Sequence, residues 1–178
     1  MKIGELDIKK AYFGAKEITP SNAYLGDVPI KKDEGIPNDE IWYTTLDGNI
    51  VIPETNALPI IVSNTYSDDK GVIKFISDVT NIGSGAFVNN HNLSSIIIPK
   101  SVINIEDHVF YDCLKLSSII IPNNIINIGM ECFADCRSLT SISYIGTMAQ
   151  WNTITKEEDW HIGVPATVVH CKDGDVAL

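Results

Sequence analysis

Leu93-Ser94-Ser95-Ile96-Ile97-Ile98-Pro99 decides the fold, because it returns 23 residues later as Leu116-Ser117-Ser118-Ile119-Ile120-Ile121-Pro122. Ile96 and Ile98 stand two apart and so share one face of a strand. The prolines then close the strand, since they have no N–H to donate onward. Three segments of 23 residues align around this stretch without a gap: Val79–Ser101, Val102–Asn124 and Ile125–Thr147. Val79, Val102 and Ile125 stand in register, as do Ile82, Ile105 and Ile128; Phe87, Phe110 and Phe133; and Leu93, Leu116 and Leu139. The first two segments share 11 of 23 residues and the last two share 9, where unrelated segments share about 1–2. Between strands, Val102, Ile105 and Phe110 fill the return path, and Val102-Ile103-Asn104-Ile105 can form a second extended piece. Gly83-Ser84-Gly85-Ala86-Phe87 suits a tight turn or one helical turn. A single rung cannot bury its apolar face, but rungs stacked about 4.8 Å apart form a continuous core.

Composition agrees. The chain has 178 residues, enough for one domain and a little more, and it carries 28 Ile against 9 Leu. Ile is stiff at its branched carbon and favours pleated surfaces over helices. A net charge of −10 argues against gripping nucleic acid or anionic lipid. No apolar run approaches the ~20 residues that span a bilayer. Met1-Lys2-Ile3-Gly4-Glu5-Leu6-Asp7 has no apolar stretch behind a basic start, so no secretory signal is written there. Cys113, Cys132, Cys136 and Cys171 could pair in three ways if oxidised, but at this density they make no disulfide scaffold.

The pattern L-x-x-I-x-I-P-x-S-V-x-x-I-x-x-x-x-F-x-x-C, written by Leu93 through Cys113 and again by Leu116 through Cys136 with Asn124-Ile125 in place of S-V, resembles the BspA-like leucine-rich repeat of Treponema type. Gly71 to Val79 is similar to a degenerate opening strand, with Ile73 and Phe75 preceding Ile96 and Ile98 by 23. Tyr144 to Trp151 and Ala166 to Cys171 resemble C-terminal caps of gut Bacteroides members. The resemblance runs from about Ile41 to the end. It implies a mainly β, right-handed leucine-rich-repeat solenoid with a binding role, a bacterial surface or secreted location, and no reaction.

The expected organisation is a small β-hairpin module over 1–32, a linker over 33–40, a cap and opening strand over 41–78, three repeats over 79–147 and a C-terminal cap over 148–178. In the first segment, Ala11-Tyr12-Phe13-Gly14 and Ala23-Tyr24-Leu25-Gly26 echo each other 12 residues apart, which suits short hairpins. These Tyr-x-Gly units are similar to short β modules of bacteriophage structural proteins. Ile41–Leu46, Asp47-Gly48 and Asn49–Ile52 predict a capping hairpin, because Asp-Gly accepts the positive φ of its turn. Thr147-Met148-Ala149-Gln150 fits a capping box, so a short helix should run from there toward Ile154 with Trp151 and Trp160 covering the last rung. Carbohydrate stacking is the other use open to either Trp.

Candidate chemistry is sparse, and neither cofactor nor metal is expected. His91, His108, His161 and His170 show no ligand spacing with the cysteines, and Cys132 and Cys136 lack the second pair of a zinc site. Cys113 and Cys136 occupy equivalent rungs, where a small buried residue, a stacked disulfide or a metal are the choices. Asp173-Gly174-Asp175 falls short of the 6–8 oxygens calcium takes. Glu131 and Asp135 could share a helical face, but such a pair is more often a solvated edge than an acid/base couple. No G-x-S-x-G, Walker or G-x-G-x-x-G motif is written, so no enzyme is expected. Asn81, Asn104 and Asn127 form a column suited to bonding the backbone of neighbouring rungs.

What remains is surface. Residues between the inward positions should form two outward columns, one of Val72, Ser95, Ser118 and Ser141, the other of Lys74, Ile97, Ile120 and Ser143. Ile97 above Ile120 makes an apolar stripe with a polar serine rim, as protein-binding surfaces have. Three uses stay open: ligand binding, cover by an N-terminal or partner segment, or β propensity alone. Two functional classes follow: a recognition or adhesion module for a protein or glycan, and a structural or appendage protein of a prophage displaying the solenoid.

Overall fold

The computed structural model describes residues 36–178 and, before them, the backbone of four short strands. These are β1 (Ala11–Phe13), β2 (Lys16–Ile18), β3 (Ala23–Leu25) and β4 (Val28–Ile30), with β1 paired antiparallel to β2 and β3 to β4. Then come β5 (Glu40–Thr45), β6 (Ile61–Ser67) and β7 (Lys70–Phe75). The repeats supply β8 (Asn81–Ile82), β9 (Leu93–Ile97), β10 (Asn104–Ile105), β11 (Ser118–Ile121), β12 (Asn127–Ile128) and β13 (Ser141–Tyr144). The chain closes with α1 (Met148–Thr153), β14 (Thr155–Lys156), β15 (Val168–Cys171) and β16 (Gly174–Ala177).

Each 23-residue unit makes one turn of a β-solenoid. β9, β11 and β13 run parallel in one sheet with Ile96, Ile119 and Ile142 side by side. β8, β10 and β12 form a second parallel sheet, extended by β14, with Asn81, Asn104 and Asn127 level. A turn completes each rung, and there the amides of Phe87 and Phe110 donate to the carbonyls of Val109 and Cys132 one rung on. Inside, Phe87, Phe110 and Phe133 stack nearly parallel, with ring centres 5.5 and 5.2 Å apart. Trp160 ends that ladder edge-on to Phe133 at 6.0 Å. The interior is one contiguous apolar core, as stacked rungs require.

The short helix after the last repeat follows the expectation. Thr147 accepts from the Gln150 amide while the Gln150 side chain takes the Thr147 amide, and α1 starts there. Trp151 is buried and packs on Tyr144 and Trp160, which leaves neither indole free to stack on a sugar.

The N-terminal side differs in three ways. Asp47-Gly48 does turn, with Gly48 at φ +70°, but Asn49–Ile52 forms no strand. β5 instead lies between β7 and β9, antiparallel to both, so neither of its edges is left for a hairpin partner. Residues 49–52 are tied down by side chains: the Val51 amide donates to Tyr43 Oη (3.2 Å), and Asn64 Nδ2 donates to the Val51 carbonyl (2.6 Å). Second, β7 is not the rung next to β9. Inserting β5 shifts the alignment, so Val72 joins the Ile97 level through Trp42, and Lys74 sits one step further, opposite Glu40. Third, the expected linker is partly packed: Ile36 is buried, and the Asn38 and Asp39 carbonyls accept from the Val79 and Phe75 amides. Its residues 33–35 lie outside the described residues.

A candidate recognition face on the outer sheet

The long sheet has the order β16-β15-β13-β11-β9-β5-β7-β6. Strand alternation turns Ile41, Tyr43, Ile73, Phe75, Ile96 and Ile119 into the core and their neighbours outward. One outward row crosses all eight strands: Asp175, His170, Ser143, Ile120, Ile97, Trp42, Val72 and Thr65. A second row holds Ser141, Ser118, Ser95 and Thr44. A bulge on β9 sets both Ser94 and Ser95 against Thr44, whose hydroxyl bonds to each, at 2.6 and 2.5 Å.

Access is uneven. Ile97 is 5% exposed, Ser118 2% and Ser95 0%, so the centre of the anticipated stripe is closed to solvent. Val72, Ile120, Ser141 and Ser143 are half-buried, and Lys74 is exposed. The structure thus aligns Ile97 and Ile120 but does not leave them as an open pair.

Trp42 is the residue that sequence reasoning missed on this face. Its indole N–H donates to the Glu40 carboxylate (2.7 Å), and Lys70 Nζ sits 4.3 Å from the ring centre. Lys74 lies 3.6 Å from Asp39 and 3.7 Å from Glu40, which edges the indole with charge. The signal was present: in Glu40-Ile41-Trp42-Tyr43, alternation turns Trp42 outward once Ile41 and Tyr43 are inward. A second row was also missed. Thr80, Ile103 and Ile126 are level just before β8, β10 and β12, the Ile103 and Ile126 amides donating to the Thr80 and Ile103 carbonyls, and Ile103 and Ile126 are 42% and 60% exposed.

The remaining candidates are engaged locally. Glu131 and Asp135 lie in left-handed turn positions rather than on a helix, and they take separate partners, His108 (3.3 Å) and Arg137 (3.2 Å). Asp173 accepts from the Met148 amide at the start of α1, and Asp175 pairs with His170. Asn81 bonds the Glu106 carboxylate rather than backbone. All four cysteines are free and buried. Cys113 and Cys136 donate to the carbonyls of Phe87 and Phe110. The Cys136 thiol beside it, together with burial, pushes Cys113 far above the ordinary thiol range; burial does the same to Cys132.

A solenoid of 23-residue rungs with an outward sheet defines a leucine-rich-repeat protein. Residues 49–156 match the BspA type leucine rich repeat region, in 6 copies, and the chain belongs to that family. A leucine rich cell surface protein of Faecalibacterium prausnitzii A2-165 is similar at 33% identity, over 48% of this chain and 22% of that one, with a TM-score of 0.45. A leucine-rich repeat protein of Bacteroides ovatus ATCC 8483 is similar at 23% identity, over 78% of this chain and 37% of that one, with a TM-score of 0.42. The chain therefore spans well under half the length of either protein. No curated protein matches it.

Proposed function

We propose that the chain is a non-catalytic recognition module that binds a protein or glycan through the accessible ends of its outer sheet face. Trp42, Val72 and Lys74 form one end, and Ile120, Ser141 and Ser143 the other. The observation that carries this is Trp42, a large aromatic held half-buried on the outer sheet by Glu40 and Lys70. An aromatic fixed by its neighbours offers contact area at little ordering cost, which is the character of binding hot spots. Membership in a leucine-rich-repeat family, and likeness to a protein described as lying on the cell surface, support the same class and a surface location.

A panel of host surface proteins and glycans screened against the full chain tests this. Binding of any hit should fall at least about tenfold in Trp42→Ala, the loss of a hot-spot side chain, with the melting temperature little changed. Ile126→Asp, beside β12 of the other sheet, should bind as the parent does. A ligand retained by Trp42→Ala and lost in Ile126→Asp would move the site to the opposite face.

A further inference from the structure

We propose that the strand pairs β1–β2 and β3–β4 are the resident occupant of the outer sheet face and cover β9. The burial profile along the outward row leads there. Thr65 is exposed, Val72 and Trp42 are half-buried, Ile97 is closed, and Ile120, Ser143 and His170 are half-buried again. Every residue of β9 is buried, including the outward Ser95 and Ile97, and Ile97 lies outside the apolar core that fills the solenoid. In-plane neighbours shield the flanks of an outward side chain and leave its tip in water. A serine with no exposure therefore has a further layer above it.

The backbone identifies that layer. β1 lies alongside β11 and β13, and β3 lies alongside β5, so the two bracket β9 from either side. The spacing fits as well. A hairpin is about 10 Å wide, and two strand steps, from β5 across β9 to β11, are also about 10 Å. Two hairpins laid side by side thus repeat at the distance the sheet offers. The energetics favour both partners, because an isolated two-stranded hairpin is at best marginal in water while Ile97 and Ile120 supply an apolar floor. An outside ligand then meets only what stays exposed of Trp42, Ile120, Ser141 and Ser143 beside β3 and β1, or it displaces those strands. This inference does not depend on any outside ligand existing.

Two measurements on the full chain test it. A spin label on Tyr12→Cys, the native thiols being buried, should broaden the amide signals of β11 and β13 and spare those of β10 and β12. Glu17→Cys on β2 is the second labelling position should the first variant fold poorly. Separately, Ser118→Cys should react with a thiol reagent about tenfold or more slowly than Ile126→Cys in the folded chain, and equally fast in urea. Both results together support the proposal. Unbroadened β11 and β13 signals, or equal reactivity in the folded chain, overturn it.

Discussion

Glu131 sits at φ +49° in the same rung position as Gly85 (φ +68°) and His108 (φ +56°). This left-handed bend aims each amide at the next rung: Gly85 donates to Asp107, His108 to Met130, and Glu131, at a longer 3.4 Å, to Glu158. A Cβ in that region costs roughly 1–2 kcal/mol, whereas a half-exposed pair such as Glu131 with His108 contributes about 0–1. Glu131→Gly should therefore stabilise the protein by about 0.5 kcal/mol in a urea melt, net of the glycine's own chain entropy. Destabilisation would mean the ion pair outweighs the backbone strain. The thiols give a second prediction. With their folded pKa raised, Cys113 and Cys132 bind protons more tightly folded than unfolded, so their contribution is complete below about pH 9 and declines as pH rises further. No thiol should react with an aromatic disulfide reagent at pH 8 without denaturant, and the melting temperature should fall on going from pH 9 to pH 10.5.

Among the elements, β5 is the one that links the N-terminal cap to the repeats, and its fit rests on Gly71. Tyr43 lies flat across the paired Gly71, where an added Cβ would stand 2.1 Å from the ring. The ring cannot move away freely, because its hydroxyl donates to Asn64 at 2.7 Å and accepts from the Val51 amide. Gly71→Ala should cost about 1–3 kcal/mol, the range for overpacking a filled core, read as a shift in urea midpoint at constant slope. On β9, Ile97 points outward but is covered. Ile97→Ala should cost about 2 kcal/mol or more, as burial dictates, rather than the fraction expected of an open strand position.

For the whole molecule, three 23-residue units stack in register through β9, β11 and β13, so each rung interface is a large share of the total. Phe110 packs against Phe87 on one side and Phe133 on the other, which makes it the middle of the aromatic ladder. Phe110→Ala should cost about 3–5 kcal/mol, and the loss should be global, with near-UV and far-UV signals melting together. A surviving folded fragment after that truncation would mean that the rungs are more independent than their number suggests.

The repeat period, the inward Ile and Phe positions and the C-terminal capping box were all legible in the residues. Each depends on local alternation or on contact with a copy of the same segment 23 residues away, and one sequence displays both. Three features were decided only by tertiary structure. β5 inserts antiparallel between β7 and β9, which moved Val72 beside Trp42 and Lys74 out of the Ile97 level. Asp47-Gly48 announces a turn, but a turn does not say which strand the chain next meets. Ile97 and Ser95 are outward by alternation, yet alternation says nothing about what lies above a sheet, and both are closed to solvent. The period is written along the chain; pairing partners and cover are not, because they are settled by competition among distant segments for the same strand edges and the same apolar face.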